Sequence, residues 1–169
     1  MVKKQKEVQM PDFEESYAGK LRQCVGNQMT LIVPAARAVI FNERGEVLCI
    51  RRRDNGRWNL PAGGIELGES ITGCLCREVK EECGLDVLEA TAIVLNTEPR
   101  YLQVNAYGQS YQMFALAFRV DRWAGELVTE TDETTDARFF PLDGLPELPP
   151  HQVETLEDLK RFDGRLIVR

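Results

Sequence analysis

The sequence has very little of one residue type on which many enzymes depend, histidine. Of its 169 residues only His151 is a histidine. A multi-histidine zinc site is therefore excluded, and a Ser-His-Asp triad or a histidine phosphorelay would have to use this one residue. We therefore expect acid–base and metal chemistry from carboxylates, since Asp and Glu together number 27.

Excess positive charge and long apolar runs are also absent. Lys and Arg total 21 against 27 for Asp and Glu, so the formal charge is −6 and gives no general attraction to nucleic-acid or lipid phosphates. No apolar run approaches the roughly 18 residues of a membrane span. The lysine-rich N-terminus is not followed by the apolar core of a secretory signal. These absences predict a cytoplasmic protein that has no membrane partner. They also make nucleic acid an unexpected partner.

The five cysteines do not form a recognisable framework. Their number is odd and their spacings lack the repeated pairs of zinc or redox motifs. We therefore expect five reduced thiols rather than disulfides.

Hydrophobic periodicity and turn residues divide the chain into interleaved strands and helices. Helices are predicted over 12–25, 71–83 and 153–162, and strands over 31–41, 46–52, 87–95, 111–120 and 137–140. The turn residues at 42–45 join the first two strands as a hairpin. No linker divides the chain, so the pattern predicts one layered domain of the α/β (α+β) class.

Residues 63–85 carry the densest pattern of acidic residues on a helix. With about 100° between successive residues, Glu78 and Glu82 lie on the azimuth of the apolar stripe and Glu81 lies about 80° to its side. Three neighbouring carboxylates raise one another's pKa unless a hard divalent cation such as Mg²⁺ or Mn²⁺ neutralises them. A solvated helix face is the alternative that spacing alone leaves open.

The same segment resembles the Nudix box. Gly63, Glu69, Arg77-Glu78-Val79, Glu81-Glu82 and Gly84-Leu85 stand at the spacings of that motif, and the flanking pattern extends the resemblance over about residues 30–145. The resemblance implies a Nudix-type α/β/α sandwich with a mixed β-sheet. It assigns 30–169 to the Nudix hydrolase domain and leaves 1–29 as an N-terminal helical extension packed on the domain or on a partner.

The resemblance also implies an activity and a metal site. Nudix enzymes hydrolyse a diphosphate bond in a nucleoside diphosphate linked to another group, so a small nucleotide is the implied substrate and Mg²⁺, with Mn²⁺ as a substitute, the implied cofactor. The implied metal ligands are Glu78, Glu82, Glu81 and the backbone carbonyl of Ala62. Glu69 and Arg77 resemble the pair that orients these carboxylates.

The residue that accepts the proton of the attacking water is not fixed by the box. Glu81 and Glu82 are candidates within it, and Glu130, Asp132 and Glu133 are candidates in the acidic loop 129–136. Glu133 is our preferred metal ligand outside the box. A solvated acidic turn is the competing interpretation of this loop.

Substrate contacts are expected close to the start of the box. Strand alternation puts Arg51 and Arg53 on one face and Arg52 on the other, and we expect Arg51 and Arg53 to meet substrate phosphate. The glycines allow close backbone approach and positive φ. The full set of predicted substrate-binding residues is Arg51, Arg53, Gly63, Gly64, Trp58 and Tyr101. The alternative for the two aromatic residues is packing in the core. The alternative for the arginines is that they are simply the charged end of a strand.

Two other functions compete with hydrolysis of a small nucleotide. One is a Nudix-fold sensor that binds a nucleotide without turnover, although such modules usually lack box acids that this chain retains. The other is an RNA-processing enzyme, which the net acidity disfavours. The helix over 12–25 leaves a homodimer contact and intramolecular docking equally open.

Overall fold

The computed structural model describes residues 13–104 and 108–169. Within these ranges the α-helices are α1 (Tyr17–Val25), α2 (Ile71–Cys83) and α3 (Pro150–Arg161). The strands are β1 (Leu31–Ile40), β2 (Val47–Arg52), β3 (Trp58–Asn59), β4 (Ala62–Gly64), β5 (Asp86–Asn96), β6 (Gln103–Val104), β7 (Ser110–Ala124), β8 (Thr134–Phe140) and β9 (Ile167–Val168). Short 3₁₀ helices occupy Phe13–Glu15 and Pro99–Tyr101.

The strands form one large and one small sheet. The large sheet has the order β4-β1-β7-β5-β9, with β6 also paired to β7, and the small sheet has the order β3-β2-β8. Because β1 runs parallel to β7 and antiparallel to β4, the large sheet is mixed. The predicted mixed sheet is thus confirmed.

The two longer helices lie on opposite faces of β1. Ala36 and Ala38 pack in a core cluster with Leu75 and Val79 of α2. Val39, which alternation directs to the other face, packs in a second cluster with Leu156 of α3. Helix, sheet and helix therefore form the α/β/α layers that the sequence predicts.

The predicted hairpin between β1 and β2 is wrong. The side chain of Asn42 does close a turn, accepting hydrogen bonds from the backbone N–H groups of Arg44 and Glu46. Beyond it only one bridge, between Phe41 and Val47, joins the two segments. Because β4 and β7 occupy both edges of β1, β2 pairs with β3 and β8 instead.

Helix α2 begins and ends where its capping residues predict. The Ser70 hydroxyl accepts a hydrogen bond from the N–H of Gly73 at 3.0 Å. Gly84 follows the helix with φ of 75°, a left-handed conformation that glycine adopts without strain. These two ends fix the rotation of α2, and with it the direction of its glutamates.

Helix α1 docks on the large sheet through a buried arginine. The Arg22 guanidinium donates to the carbonyls of Gly26, Met29 and Ser110 and lies 4.6 Å from the centre of the Tyr111 ring. The described part of the 1–29 extension thus contacts residues of the domain, while its first twelve residues lie outside the described ranges. The division of the chain at residue 30, and a homodimer contact, stay predictions.

All five cysteines are free thiols. Within the two described ranges no helix has both the length and the hydropathy needed to cross a membrane.

Candidate active site

Three carboxylates converge where α2 meets the loop before β8. One oxygen from each of Glu78, Glu82 and Glu133 lies within 4.8 Å of the other two, and we call this group the acidic cluster. Glu78 and Glu82 face inward because they are one helical turn apart on the buried side of α2. The loop that precedes β8 supplies Glu133, so the preferred residue outside the box does lie with the two box glutamates.

Burial makes the acidic cluster electrostatically unfavourable. Loss of water raises the pKa of the Glu78 carboxyl from 4.5 to about 7, although Arg77 acts in the opposite direction. The pKa of Glu82 is raised well above its ordinary value by burial and by the Glu78 charge. Burial also raises the pKa of Glu133. The ionised form of the cluster is therefore disfavoured unless a cation compensates its charge.

The strand before α2 approaches the acidic cluster very closely. The backbone N–H of Ala62 donates to Glu82 Oε2 at 2.9 Å. A Cβ atom on Gly63 would overlap the carboxyl group of Glu78, whereas one on Gly64 would be 3.5 Å from Val33 Cγ1. Neither glycine has a positive φ, so the positive φ that glycine allows is not used at these two positions. Gly63 is needed for space, because β4 lies against the Glu78 carboxyl.

Arg77 connects the acidic cluster to its supporting residues. Its guanidinium donates to both oxygens of Glu69 at 2.9 and 3.1 Å, to Glu78 Oε1 at 2.7 Å and to Glu81 Oε2 at 2.9 Å. It also donates to the Gly64 carbonyl. Hydrogen bonding to Arg77 lowers the pKa of Glu69. Glu81 thus lies against Arg77 and outside the acidic cluster, so its role as a ligand stays a prediction.

Arg52, rather than its neighbours, faces the acidic cluster. Its Nη1 atom is 3.9 Å from Glu82 Oε1, and its Nε and Nη2 atoms bond Asp54 at 3.0 Å each. Arg51 donates instead to the carbonyl of Gly56. The predicted alternation on β2 places Arg52 on the side of Glu82, with Leu48 and Ile50, which pack against α2. Substrate contact by Arg51 and Arg53 stays a prediction.

Arg53 orders the loop that carries Glu133. Its backbone N–H donates to the Glu133 carbonyl at 2.8 Å, and its guanidinium donates to the Thr131 carbonyl at 2.9 Å and to Glu130 at 3.0 Å. These bonds occupy the side chain that we expected at the substrate. Arg53 is therefore a positioning residue for the loop in this structure.

The two aromatic residues predicted at the substrate make packing contacts. Trp58 is half-buried and meets Phe140 edge-on, with ring centres 5.0 Å apart. Tyr101 is buried, and its ring centre is 5.9 Å from that of His151. These contacts agree with the core-packing alternative, and substrate contact by either ring stays a prediction.

Sequence reasoning missed a glutamine that bonds the segment just before the box. Gln152 of α3 accepts from the backbone N–H of Leu60 at 2.6 Å and donates to Asn59 Oδ1 at 2.8 Å. It is buried, and no motif marks it. The predicted helix beginning at 153 excluded it, since Pro149 and Pro150 start the helix three residues earlier.

An acidic cluster built from α2 and the loop before β8, next to a Gly-Gly strand in an α/β/α sandwich, defines a Nudix-type domain. The chain belongs to that family: the NUDIX domain model matches residues 31–159.

Relatives and solved structures agree with this assignment. The chain is 32% identical over 117 residues to the NAD-capped RNA hydrolase NudC of Stutzerimonas stutzeri, with 68% of this chain and 39% of the relative covered. It is 36% identical over 128 residues to the human 8-oxo-dGDP phosphatase NUDT18, with 72% and 36% covered. A MutT NUDIX hydrolase from Burkholderia pseudomallei matches with a TM-score of 0.63 at 27% identity, over 76% of this chain and 98% of that one. The chain spans about two fifths of the curated relatives that it matches.

Proposed function

We propose that this protein hydrolyses a diphosphate bond in a small nucleotide, a nucleoside diphosphate linked to a further group, with a divalent cation. The acidic cluster carries this proposal. Glu78, Glu82 and Glu133 place oxygens within 4.8 Å of one another in a largely buried setting. The family assignment and the hydrolase names of the relatives support the same reaction class.

The residues present fit a hard divalent cation. All three side chains offer oxygen, which Mg²⁺ and Mn²⁺ prefer. Glu82 is fully buried, and its Oε1 atom has no hydrogen-bond partner within the described residues. Such an oxygen is costly to bury, and the Arg52 guanidinium at 3.9 Å offsets this cost only in part, since the pKa of Glu82 is still raised well above its ordinary value. Glu78, Glu82, Glu133 and the Ala62 carbonyl are the groups we propose to hold the cation.

The chemistry divides between the cation and the protein. When bound, a divalent cation polarises the phosphoryl group and lowers the pKa of a coordinated water. Glu133 has a second carboxylate oxygen and a raised pKa, which suits it to accept the proton of the attacking water. Arg77 holds the Glu78 carboxylate in place through the hydrogen bond at 2.7 Å.

A substrate panel tests this proposal. It contains dNTPs, ADP-ribose, NADH, dinucleoside polyphosphates and nucleotide sugars, together with NAD-capped RNA and 8-oxo-dGDP because the relatives carry those names. With Mg²⁺, we expect cleavage of a diphosphate bond in at least one member, with products identified by mass. If no member is turned over while nucleotides still bind, a sensor without turnover is the better description.

We expect Arg52, not Arg51, to contact substrate phosphate. Arg52 is beside the acidic cluster, and its Nη1 atom, which does not bond Asp54, can donate a charge-assisted hydrogen bond to a phosphoryl oxygen. Arg52→Gln should raise KM by about tenfold or more, as expected for loss of one charge-assisted contact. Steady-state kinetics of Arg52→Gln and Arg51→Gln measure this difference. A larger effect of Arg51→Gln would restore the sequence-based expectation.

The stability of the cation-free protein should decrease as the pH rises. The folded-state pKa of Glu78, about 7, exceeds its ordinary value of 4.5. The folded state therefore binds the proton more tightly than the unfolded state, so this stabilising contribution is complete below about pH 4.5 and is lost as the pH rises through about 7. In EDTA the Tm should fall between about pH 5 and pH 8 by several degrees.

The matched measurement adds millimolar Mg²⁺ or Mn²⁺. A bound cation favours the ionised carboxylates, so the decline in Tm above pH 5 should become smaller. Thermal unfolding followed by circular dichroism measures both curves. Identical curves with EDTA and with either cation would contradict cation binding by the acidic cluster.

A further inference from the structure

Between the large sheet and α3 lies a second polar group that the proposed reaction does not use. Its central residue is Arg37 of β1, which is 4% exposed. Among the described residues no carboxylate forms an ion pair with Arg37, and its Nε atom has no hydrogen-bond partner. Its guanidinium donates to Thr155 Oγ1 at 3.2 Å and to Met113 Sδ at 3.8 Å. A buried cation without a counter-charge is rare, because desolvation is not compensated.

The sheet register brings an asparagine to the same face. Ala35 and Arg37 share a face of β1, Ala35 pairs with Ala115 of β7, and Ala115 pairs with Asn96 of β5. Asn96 is 1% exposed, and neither atom of its amide has a partner within the described residues. The three alanines of this face, Ala35, Ala115 and Ala117, leave a floor of small side chains between Arg37 and Asn96.

Helix α3 and the 3₁₀ helix at Pro99–Tyr101 complete the group. The Tyr101 hydroxyl is buried without a described partner. His151 is adjacent to the Tyr101 ring, and its pKa is lowered to about 3 by burial and by the Arg37 charge, so its ring is neutral. Gln103, which is exposed, lies 3.3 Å from His151 Nε2. The group therefore reaches the surface beside Gln103. We call Arg37, Asn96, Tyr101 and His151 the Arg37 cluster.

The unused groups of the Arg37 cluster match one kind of ligand. Within residues 13–104 and 108–169, Arg37 Nε, Asn96 Nδ2 and the Tyr101 hydroxyl are three donors without acceptors, and the Arg37 guanidinium is a fixed positive charge. An oxyanion offers only acceptors and a negative charge, and an arginine fork suits its geometry. The partly protonated state of a phosphate monoester can also donate to Asn96 Oδ1.

The Arg37 cluster is also close to the proposed reaction centre. Arg37 pairs directly with Ala62 in the ladder between β1 and β4. Ala62 donates to Glu82 of the acidic cluster. One short edge strand therefore separates the two groups, at a spacing of roughly 5 Å between paired backbones.

We propose that the Arg37 cluster binds an oxyanion, a phosphate or carboxylate group carried by the substrate in addition to its diphosphate. This inference rests on the proposed function for the identity of the ligand. The binding itself does not depend on hydrolysis. The Arg37 cluster would then select, among compounds with a diphosphate bond, those whose far end carries a second negative group.

Titration of the full chain with inorganic phosphate in EDTA tests the proposal. Without divalent cations the acidic cluster repels phosphate, so binding reports on the Arg37 cluster. We expect millimolar phosphate to raise the Tm of the wild-type protein by about 3 °C above a potassium chloride control of equal ionic strength. A parallel titration with acetate separates the two sources of an oxyanion: a larger rise with phosphate indicates a phosphate monoester, and a larger rise with acetate a carboxylate.

Two substitutions locate the site. Arg37→Met should remove the anion-induced rise while leaving the anion-free Tm unchanged or higher, because it replaces an uncompensated buried charge. Arg122→Met, which removes an exposed arginine paired with Glu89, should retain the rise and controls for general salt effects. Asn96→Leu provides a second test at similar volume and should reduce the rise.

The outcomes separate this proposal from the proposed function. If neither anion raises the wild-type Tm, or if Arg37→Met shows the same rise as wild type, the Arg37 cluster is not an oxyanion site. Either result leaves the acidic cluster and its reaction untouched. Conversely, if the protein binds an oxyanion at the Arg37 cluster but turns over no substrate, the oxyanion proposal is supported and the proposed hydrolysis is contradicted.

Discussion

Glu82→Gln should reduce turnover by about a thousandfold or more while the fold is retained. The carboxylate is fully buried, and it is the member of the acidic cluster whose Oε1 atom lacks a described hydrogen-bond partner. Replacing it with a neutral amide removes one anionic ligand from a cation that supplies several kcal/mol of transition-state stabilisation, and each factor of ten in rate corresponds to about 1.4 kcal/mol. Glutamine has the same shape, and its amide oxygen can still accept from Ala62.

Stability and cation uptake distinguish this effect from misfolding. Because the pKa of Glu82 is raised well above its ordinary value, its ionised form already disfavours the cation-free fold. The Tm of Glu82→Gln in EDTA should therefore not fall below that of the wild type, whereas calorimetric uptake of Mn²⁺ should be lost. Glu89→Gln, an exposed glutamate paired with Arg122, is the control for charge removal. An unchanged rate in Glu82→Gln would remove the proposed metal role.

Local sequence signals were enough to predict the first and last residues of α2. Ser70 can satisfy the free N–H groups of the first turn, and Gly84 can adopt the left-handed conformation that ends a helix. The period of the apolar residues then fixes which glutamates face inward. Strand bounds were predicted less accurately: β5 and β7 extend by one to four residues beyond the predicted ranges.

Contacts between distant segments were beyond local patterns. The hairpin at Asn42 was expected because its turn chemistry is correct. The pairing of β1, however, depends on β4 and β7, whose paired residues lie about 27 and 80 positions away in sequence. The position of Glu133 likewise depends on Arg53, which orders its loop across 80 positions of sequence. The alternation of a strand predicts that Arg52 lies on the opposite face from Arg51 and Arg53. Which of the two faces meets the acidic cluster depends on how the small sheet packs on α2, and the sequence does not show this.

Buried polar residues far from the box were missed for the same reason. Arg37, Asn96 and Gln152 lie in elements whose sequences read as ordinary strand or helix. Their burial follows from the way α3 covers one face of the large sheet. No spacing rule identifies such a group, because its members come from β1, β5 and α3.

Gly63→Ala should reduce turnover by about a hundredfold or more, although it adds a single methyl group. A Cβ at this position would overlap the carboxyl group of Glu78, which Arg77 holds with a hydrogen bond at 2.7 Å. The Glu78 carboxylate must therefore move out of the acidic cluster. A displacement of about 1 Å of a catalytic group lowers the rate on the order of a hundredfold. Steady-state kinetics and the Mn²⁺ affinity of the variant measure the loss.

Gly64→Ala is the matched control, one residue along the same strand. Its added Cβ would be 3.5 Å from Val33, an ordinary contact, and neither glycine needs a positive φ. Its rate should stay within about twofold of wild type. Equal losses in both variants would instead indicate that β4 must remain flexible.

A double-mutant cycle with Glu78→Ala identifies the cause of the Gly63 effect. If Gly63→Ala acts by displacing the Glu78 carboxylate, it should add little once that carboxylate has been removed, so the two effects will be far from additive. Additive losses would show that the methyl group disturbs something else, such as the close approach of substrate to the β4 backbone. The cycle thereby separates crowding of a metal ligand from crowding of a substrate, which activity alone cannot do.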